Sequence, residues 1–326
     1  MKKLHRVPVV FFALLFFVLI GWSMAEMRSI ERSIQVSRNR GRIVFHFAVL
    51  IPAMEYDSFF TQAYNSMKET AAAGEAALQL FEYQGNGLNS IEPLLTLIMN
   101  TNPDGIIVSI PSGPSSENLT GAARNRKIPV VTLESDLPSS SRDAYVGTNA
   151  FELGRLAGQA AAGIVPPDAE IGVLLAGDGD TRSSRNISFI QGLRQTIRDR
   201  PMDIGLIRSY RDTTAAGEEF IREILVSHAD IAAAVFSGPR EAEGAAQALI
   251  EFGRVGTPLI IAVDDNPAIR SLMKMGVISA TIVRSPKEAG TAAMQTLIAL
   301  ARNERTSVYT DPGASILWAE DLEAEP

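Results

Sequence analysis

The sequence predicts an α/β fold with parallel sheets, arranged as two domains of similar plan. From about residue 42 onward, short runs rich in valine and isoleucine alternate with longer, alanine-rich amphipathic segments. That alternation is typical of strands and helices in α/β proteins. The same order of elements then occurs twice along a chain of 326 residues, which is long enough for two domains.

The predicted strands of the two passes match one another in order. All six are short, apolar and rich in β-branched residues. In the first pass they are "VFHFAVLIP", "GIIVSIPSG" and "IPVVTLESD", at residues 44–52, 105–113 and 128–136. In the second pass they are "EIGVLLAGD", "IAAAVFSGP" and "TPLIIAVDD", at residues 170–178, 231–239 and 257–265. Each third strand follows a proline and ends in acidic residues, so we expect each pass to run strand, helix, strand, helix, strand.

Composition excludes several classes of protein. A net charge of −7 without a long basic run argues against nucleic acid as a partner. The chain has no cysteine, which excludes disulfides, thiolate metal sites, cysteine nucleophiles and a lipid-modified cysteine anchor. The three histidines, His5, His46 and His228, are far apart and form no HExxH motif. We therefore expect neither a metal site nor a cofactor.

The N-terminus carries a targeting segment at residues 1–25. The basic head "MKKLHR" is followed by an uncharged run from Val7 to Ala25. Ser23 and Ala25 stand at the −3 and −1 positions of a signal-peptide cut. The run also reaches the roughly 17–25 apolar residues that a membrane-spanning helix needs. Residues 1–25 are thus predicted to be either a signal peptide or an uncleaved membrane anchor.

The segment that follows, residues 26–42, is predicted to be a stalk or linker. Met27, Ile30 and Ile34 recur at helical spacing, so the apolar helix can continue past the membrane run. This spacing favours the anchored alternative. The positive charges do not settle the orientation, because Lys2, Lys3 and Arg6 precede the run and five arginines follow it. Only the function argued below predicts that the body lies outside the cytoplasm, in the periplasm or on the outer face of the cytoplasmic membrane.

Ligand-binding side chains are expected just after the predicted strands, because open α/β sheets bind ligands outside the carboxyl ends of their strands. The residues at these places are rich in Asp, Arg, Ser and Phe. Aromatic faces cover the C–H surface of a sugar ring, while carboxylates and guanidiniums pair with its hydroxyls. The composition of these loops favours a small polar ligand.

The stretch "MEYDSFF", residues 54–60, admits two interpretations. In the first, Asp57 is the N-cap of a helix and Phe60 lies on its buried face. In the second, the stretch is a ligand-binding lip, with aromatic faces for stacking and a carboxylate for hydrogen bonding. Adjacent residues on a helix point about 100° apart, so Phe59 and Phe60 would point in different directions.

Several motifs together resemble a known family. They are "DSFF", "DGIIVSIPS", "IPVVTLESDLP" followed by "YVGTNAFELGRLAGQ", "RNISFIQGLRQ", "HADIAAAVFSG", "EAEGAAQALIEFG", and "IIAVDDNPAIRSLMKMGVISATIVRSPKEAG". In this order and spacing, over about residues 43–310, the chain resembles the type 1 periplasmic solute-binding proteins, the ribose- and galactose-binding family. Any one of these motifs is weak, and their specificity lies in the order.

The resemblance implies a fold and a mode of action. The fold has two Rossmann-like lobes joined by three hinge crossings and preceded here by the N-terminal apolar helix. The N-terminal lobe is expected at 43–146 plus 285–309, and the C-terminal lobe at 147–284 plus 310–326. A ligand is held between the lobes, which close around it by hinge motion. Closure requires that the ligand bind the closed state better than the open one.

The resemblance also implies roles for individual residues. Asp57 matches a polar ligand contact, and Phe59 and Phe60 match an aromatic lip that stacks on the ring. Arg185 matches a guanidinium that bridges ring oxygens. Asp264 matches a carboxylate that accepts hydrogen bonds from sugar hydroxyls.

Three positions depart from the family's pattern. Arg284 stands where the family usually carries Gln or Asn, and Arg240, after Pro239, stands where an Asn-Asp pair is usual. Ser112 and Ser115 occupy a loop in which many members have Asp. These departures suggest a negatively charged ligand, such as a sugar acid or a sugar phosphate, bound by arginines.

The alternative for Arg240 is a pairing with Glu241 or Asp264 beyond the ligand's reach. Neutral pentoses or hexoses that bind well, when their acids do not, would contradict the charged ligand.

Other activities find no support in the sequence. "AGDGDTRSSR" lacks the spacing of a phosphate-binding loop, there is no G-x-S-x-G motif, and no histidine lies near a candidate nucleophile, so the protein is not expected to be an enzyme. Sugar-responsive repressors share the two-lobe body, but they begin with a helix-turn-helix headpiece in place of this apolar segment. Two functions remain: solute recognition for the membrane subunits of an ABC-type importer, or a membrane-tethered sensor that reports to a receptor or histidine kinase.

Overall fold

A computed structural model describes residues 44–54, 58–84, 88–110, 114–137, 142–177, 183–211 and 213–323. These residues form two α/β lobes, each built on a six-stranded sheet, which confirms the predicted fold of two lobes with mostly parallel sheets. The predicted apolar segment 1–25 and stalk 26–42 lie outside the described residues. None of the helices within the ranges above is both long and apolar enough to cross a membrane.

The first lobe has a wholly parallel sheet. Numbered in chain order, its strands are β1 (Phe45–Pro52), β2 (Ala76–Tyr83), β3 (Gly105–Val108), β4 (Val130–Leu133), β5 (Ala144–Val146) and β11 (Tyr309–Thr310). They lie side by side in the order β2-β1-β3-β4-β5-β11. Its helices are α1 (Ser58–Ala73), α2 (Leu88–Asn100), α3 (Pro114–Asn125) and α9 (Pro286–Ala301).

The second lobe repeats this order with one antiparallel edge strand. Its strands are β6 (Glu170–Gly177), β7 (Asp203–Arg211), β8 (Ile231–Phe236), β9 (Leu259–Val263), β10 (Ile278–Arg284) and β12 (Ala314–Trp318). They lie in the order β7-β6-β8-β9-β10-β12, and β12 runs antiparallel to β10. Its helices are α4 (Ala150–Ile164), α5 (Ser184–Ile197), α6 (Thr214–Ser227), α7 (Pro239–Glu251), α8 (Pro267–Lys274) and α10 (Ala319–Glu323).

In each pass, the structure has an additional strand between the first and the second of the three strands that the sequence pattern predicts. The additional strands are β2 and β7, and each lies at an edge of its sheet. An edge strand has one neighbour only, so it accommodates polar side chains that a central strand excludes. Gln79 and Glu82 in β2, and Arg208 and Ser209 in β7, interrupt the apolar runs that mark the other strands.

Strand β1 shows why the central strands are continuously apolar. Phe47, Val49 and Ile51 face the helices α1 and α9, in one buried cluster. Ala48 and Leu50 face the opposite side of the sheet, where α2 and α3 cover them. Because helices cover both faces of a parallel sheet, every position of such a strand is buried and polar alternation is lost.

The chain passes between the two sheets three times. It leaves the first sheet after β5 and enters α4 at 147–149, and it returns to the first lobe between β10 and α9 at 285. The last passage, at 311–313, leads from β11 in the first sheet to β12 in the second. All three passages lie beside each other near the carboxyl ends of β4, β5 and β10, where the two lobes meet.

Helices α4 and α5 touch closely enough to require glycine. A Cβ atom on Gly192 would lie 1.9 Å from the carbonyl oxygen of Phe151, so a side chain there would push the two backbones apart. We expect Gly192→Ala to lower the free energy of unfolding by about 1–3 kcal/mol, the cost of overpacking. Gly121→Ala is the control, because nothing lies within 4 Å of a Cβ at that helical position. The control should stabilise by about 0.5–1 kcal/mol through helix propensity, and equal effects of the two changes in urea unfolding would contradict this account.

Candidate ligand-binding cleft

A cleft of about 490 Å³ lies between the lobes at the carboxyl ends of the strands. The first lobe contributes Ser58, Phe59 and Gln62 from the start of α1. The second lobe contributes most of the charged lining, namely Arg185, Arg240, Asp264, Asp265 and Arg270. Arg284, at the end of β10 where the chain crosses between lobes, also lines the cleft. The volume is within the roughly 300–1,000 Å³ of small-molecule sites.

Arg284 joins the two lobes at the floor of this cleft. Its Nε and Nη2 donate to the two carboxylate oxygens of Asp264 in the second lobe, and Nη2 lies 2.7 Å from Oδ2. Its Nη1 donates to Glu134 Oε2 of the first lobe at 2.7 Å. The guanidinium also lies over the ring of Phe59, 4.2 Å from its centroid, in a cation–π contact. One cation thus contacts two carboxylates and an aromatic face.

Glu134 and Asp264 occupy equivalent positions in the two lobes. Each directly follows the third strand that the sequence predicts for its pass, which is β4 or β9 in the structure. Each has a positive φ, 58° for Glu134 and 77° for Asp264. Non-glycine residues adopt this region rarely, and they tend to do so where the surrounding contacts fix them. Here Thr148 donates from N and Oγ1 to Glu134 Oε1, both at 3.1 Å, and Thr281 Oγ1 donates to the Asp264 carbonyl at 2.7 Å. The left-handed turn directs both carboxylates toward Arg284.

A second ion pair and a direct contact between lobes lie beside Arg284. The Nε of Arg270 donates to both carboxylate oxygens of Asp265, at 3.0 and 2.9 Å. The backbone carbonyl of Asp265 accepts a hydrogen bond of 3.0 Å from Ser58 Oγ across the cleft. The lobes are therefore in contact through both a side-chain hydrogen bond and the shared cation.

Arg185 and Arg240 reach the cleft from the first turns of two helices. Ser183 caps α5 through a 3.3 Å hydrogen bond from Asn186 N to its Oγ, which places Arg185 at the helix start. Gly238 and Pro239 begin α7 and place Arg240 beside them. Among the described residues, Arg185 has no hydrogen-bond partner and no ion-pair partner, and it lines the cleft.

Five of the predicted site residues line this cleft together: Phe59, Arg185, Arg240, Asp264 and Arg284. Both oxygens of Asp264 accept hydrogen bonds from Arg284, and its role as an acceptor for ligand hydroxyls stays a prediction. The predicted positions Asp57 and Ser112 lie outside the described residues. Ser115 begins the helix α3 and is buried there rather than exposed in a loop.

Phe60 is not part of the cleft lining, which corrects the expectation that both phenylalanines form its lip. Its ring packs edge-on against that of Phe59, with the centroids 5.4 Å apart, and lies in the core between α1, α9 and the first sheet. The two residues are equally buried, with 6% exposure each, but the turn of the helix points only Phe59 at the cleft.

Sequence reasoning did not single out Glu134, Asp265 or Arg270. The signal for the first two was present, since both third strands end in acidic residues. Arg270 lies within the helix α8 rather than directly after a strand, so its position gave no such signal. The part of the chain that the structure describes contains no group of three or more His, Asp or Glu side chains placed to hold a metal ion.

Two stacked tyrosines lie beside the passages between the lobes. The rings of Tyr145 and Tyr309 stack with centroids 5.5 Å apart. Burial raises the pKa of the Tyr145 hydroxyl above its usual value, and the negative charge of Glu134 adds to this shift. Burial, followed by the charges of Asp311 and Glu134, raises the pKa of Tyr309 to about 12. Both phenols are therefore neutral near pH 7.

The chain shares its fold with solved sugar-binding proteins. A glucose-galactose binding protein, GanP, from Geobacillus stearothermophilus is 24% identical, with a TM-score of 0.73 over 85% of this chain and 98% of that one. A sugar-binding protein of a sugar ABC transporter from Bacillus halodurans is 17% identical, with a TM-score of 0.77 over 86% of this chain and 99% of that one. A chain of the XylFII–LytSN complex is 21% identical, with a TM-score of 0.70 over 85% of this chain and 99% of that one. No curated protein sequence matches this chain.

A protein-family model matches most of the chain and so identifies its family. The model of the periplasmic binding protein domain matches residues 47–305. The match confirms the resemblance to periplasmic solute-binding proteins that the ordered motifs indicate. Members of this family bind solutes without catalysing a reaction, which also confirms the expectation that the protein is not an enzyme. The chain belongs to the periplasmic binding protein domain family.

Proposed function

We propose that this protein is an extracytoplasmic solute-binding protein that closes its two lobes on a small polar ligand, a sugar or a sugar-like molecule. The observation that carries the proposal is the cleft of about 490 Å³, lined by charged side chains of the second lobe and by Ser58, Phe59 and Gln62 of the first. Charged groups that can pair bidentately suit a polyhydroxylated ligand. The solved sugar-binding proteins of the same fold support this class of ligand.

The ligand would couple the lobes through the contacts that already join them. Ser58 reaches Asp265, and Glu134 reaches Arg284, across the boundary between the lobes. A molecule in the cleft adds contacts to both lobes at once, so it binds the closed arrangement better than an open one. The closed protein is then the form that a membrane partner distinguishes from the empty protein.

The test is a thermal-shift screen of the full chain, purified in mild detergent, against neutral sugars, polyols, sugar acids and sugar phosphates. A ligand at about 100 times its dissociation constant adds roughly 2.7 kcal/mol of stability, which is easily measured. We expect one chemical class to raise the melting temperature, and we expect Arg185→Ala to abolish that shift. If no small polar compound stabilises the protein, the solute-binding function is wrong for this chain.

The partner that we favour is the membrane subunits of an ABC-type importer. A structural relative described as part of a sugar ABC transporter supports it. The second candidate is a membrane-tethered sensing module that reports to a receptor or histidine kinase. Two observations favour that second candidate: the long uncharged run of residues 7–25, and a relative of this fold seen in a complex with another protein.

The mature N-terminus discriminates between these candidates. Mass spectrometry of the protein recovered from the cell envelope gives the mass of the processed chain. A chain that begins at residue 26 shows that the segment is a cleaved signal peptide, which suits a released importer component. A chain that retains residues 1–25 is held at the membrane, which suits the tethered sensor.

A further inference from the structure

We propose that the cleft selects a solute that carries both hydroxyls and a negative charge, and that Arg284 sets this selectivity. The proposal rests on the proposed solute-binding function and names the class of ligand.

The carboxylates of the cleft are already engaged within the protein. Both oxygens of Asp264 accept from Arg284, and both oxygens of Asp265 accept from Arg270. Oε2 of Glu134 accepts from Arg284, and its Oε1 accepts from the backbone and side chain of Thr148. A neutral sugar needs such oxygens as acceptors for its hydroxyls, and protein donors already take part of the lone-pair capacity of each of these described carboxylates.

Among the residues that the structure describes, guanidinium groups outnumber carboxylates in the lining. Four described arginines line the cleft against two described aspartates. Glu134 and Glu241 add negative charge nearby, but neither is in the lining, and both are buried beneath it. Arg185 is exposed to the cleft and has no partner for its N–H donors within the described ranges. A cleft with unused donors and engaged acceptors suits an anion.

Arg284 is the residue on which this balance depends. Of the residues that the structure describes, it alone forms hydrogen bonds to both Glu134 and Asp264, and its guanidinium covers the face of Phe59. Without the guanidinium of Arg284, the two carboxylates would accept hydrogen bonds from a ligand instead, and the face of Phe59 would be open to a sugar ring. A single side chain thus decides whether the cleft offers acceptors or donors.

Carboxylate and phosphate groups share the chemistry that guanidiniums recognise, so the experiment includes both. Isothermal titration of the full chain, in mild detergent at low salt, compares galactose with galacturonate and galactose 6-phosphate, and arabinose with arabinonate and arabinose 5-phosphate. We expect at least one acid or phosphate to bind at least tenfold more tightly than its neutral parent. This preference should weaken as the salt concentration rises, because salt screens the charges.

Two variants and a control test the assignment to Arg284. Arg284→Gln keeps a hydrogen-bonding side chain without charge, and we expect it to reduce the preference for the anion at least tenfold and to gain affinity for the neutral sugar. Arg185→Gln removes an exposed guanidinium without breaking an ion pair among the described residues, so it stays folded and should weaken anion binding at least tenfold. Arg194→Gln, exposed on the same helix but outside the cleft lining, should bind as the unaltered protein does.

The outcomes separate this inference from the function on which it rests. If the unaltered protein binds neutral sugars as tightly as their acids and phosphates, the inference is overturned while solute binding stands. If it prefers an anion but Arg284→Gln and Arg185→Gln keep that preference, the assignment to these arginines is overturned. If none of the six compounds binds, both the selectivity and the proposed function fail.

Discussion

Replacing Arg284 by methionine should lower the free energy of unfolding by about 3–5 kcal/mol at pH 7. The side chains of Arg284 and Glu134 are only 10% and 5% exposed, and that of Asp264 is 21% exposed. Methionine fills much of the space of arginine but leaves two desolvated carboxylates without their shared cation. Removing one partner of a buried ion pair is costly because the remaining charge has lost both water and its counter-charge. Urea unfolding of the two proteins measures the difference.

Two further variants show whether the cost arises from burial of the charges. Arg222→Met removes a surface ion pair with Glu218. The side chain of Arg222 is 56% exposed and that of Glu218 is 45% exposed. Its cost should stay below about 1 kcal/mol, because water solvates the remaining carboxylate. Combining Arg284→Met with Glu134→Gln and Asp264→Asn should recover much of the loss, since no unpaired charge remains. Equal costs for Arg284→Met and Arg222→Met would contradict a strongly coupled buried cluster.

Replacing Phe59 or Phe60 by alanine should destabilise the protein by about 3–5 kcal/mol in either case, because both rings are buried against the same core. Their effects on ligand binding should differ. Phe59 lines the cleft and supports the guanidinium of Arg284, whereas Phe60 does neither. We expect Phe59→Ala to weaken binding of the compound identified by the sugar screen by tenfold or more, about 1.4 kcal/mol.

Phe60→Ala is the matched control for this prediction, with the same change in volume one residue further along the helix. Calorimetric titration of both variants, at a temperature at which both are folded, gives the two affinities. Equal losses of affinity would mean that the effect of Phe59 acts through the stability of the lobe rather than through contact with the ligand. An unchanged affinity in Phe59→Ala would remove the aromatic face from the site.

The adjacent phenylalanines of "MEYDSFF" bear on its two interpretations, of which the ligand-binding lip stays a prediction. Phe60 lies on the buried face of the helix, as the first interpretation expects, and Phe59 faces the cleft, as the second does. The helical period of side-chain directions makes both outcomes possible in neighbouring residues. Asp57, on which the first interpretation also depends, lies outside the described residues.

The sequence by itself determined the α/β class, the two repeated passes and the central strands of both sheets. These features depend on local composition, because a strand covered on both faces must be apolar along its whole length, as "FAVLI" in β1 is. The edge strands β2 and β7 were not predicted, because the open side of an edge strand admits polar residues such as Gln79 or Arg208, which interrupt the apolar pattern. Local pattern therefore identifies elements that are buried, and it fails for those that are half covered.

The tertiary structure alone decided what the charged residues do. The sequence placed Asp264 and Arg284 after two strands, each as a separate ligand contact. Only the meeting of the two lobes brings Glu134, 150 positions before Arg284, to the same guanidinium and so joins it with two expected ligand contacts in one internal cluster. The partner of a charge is set by distance in space, which strand order and hinge crossings determine. No local pattern of residues carries that information.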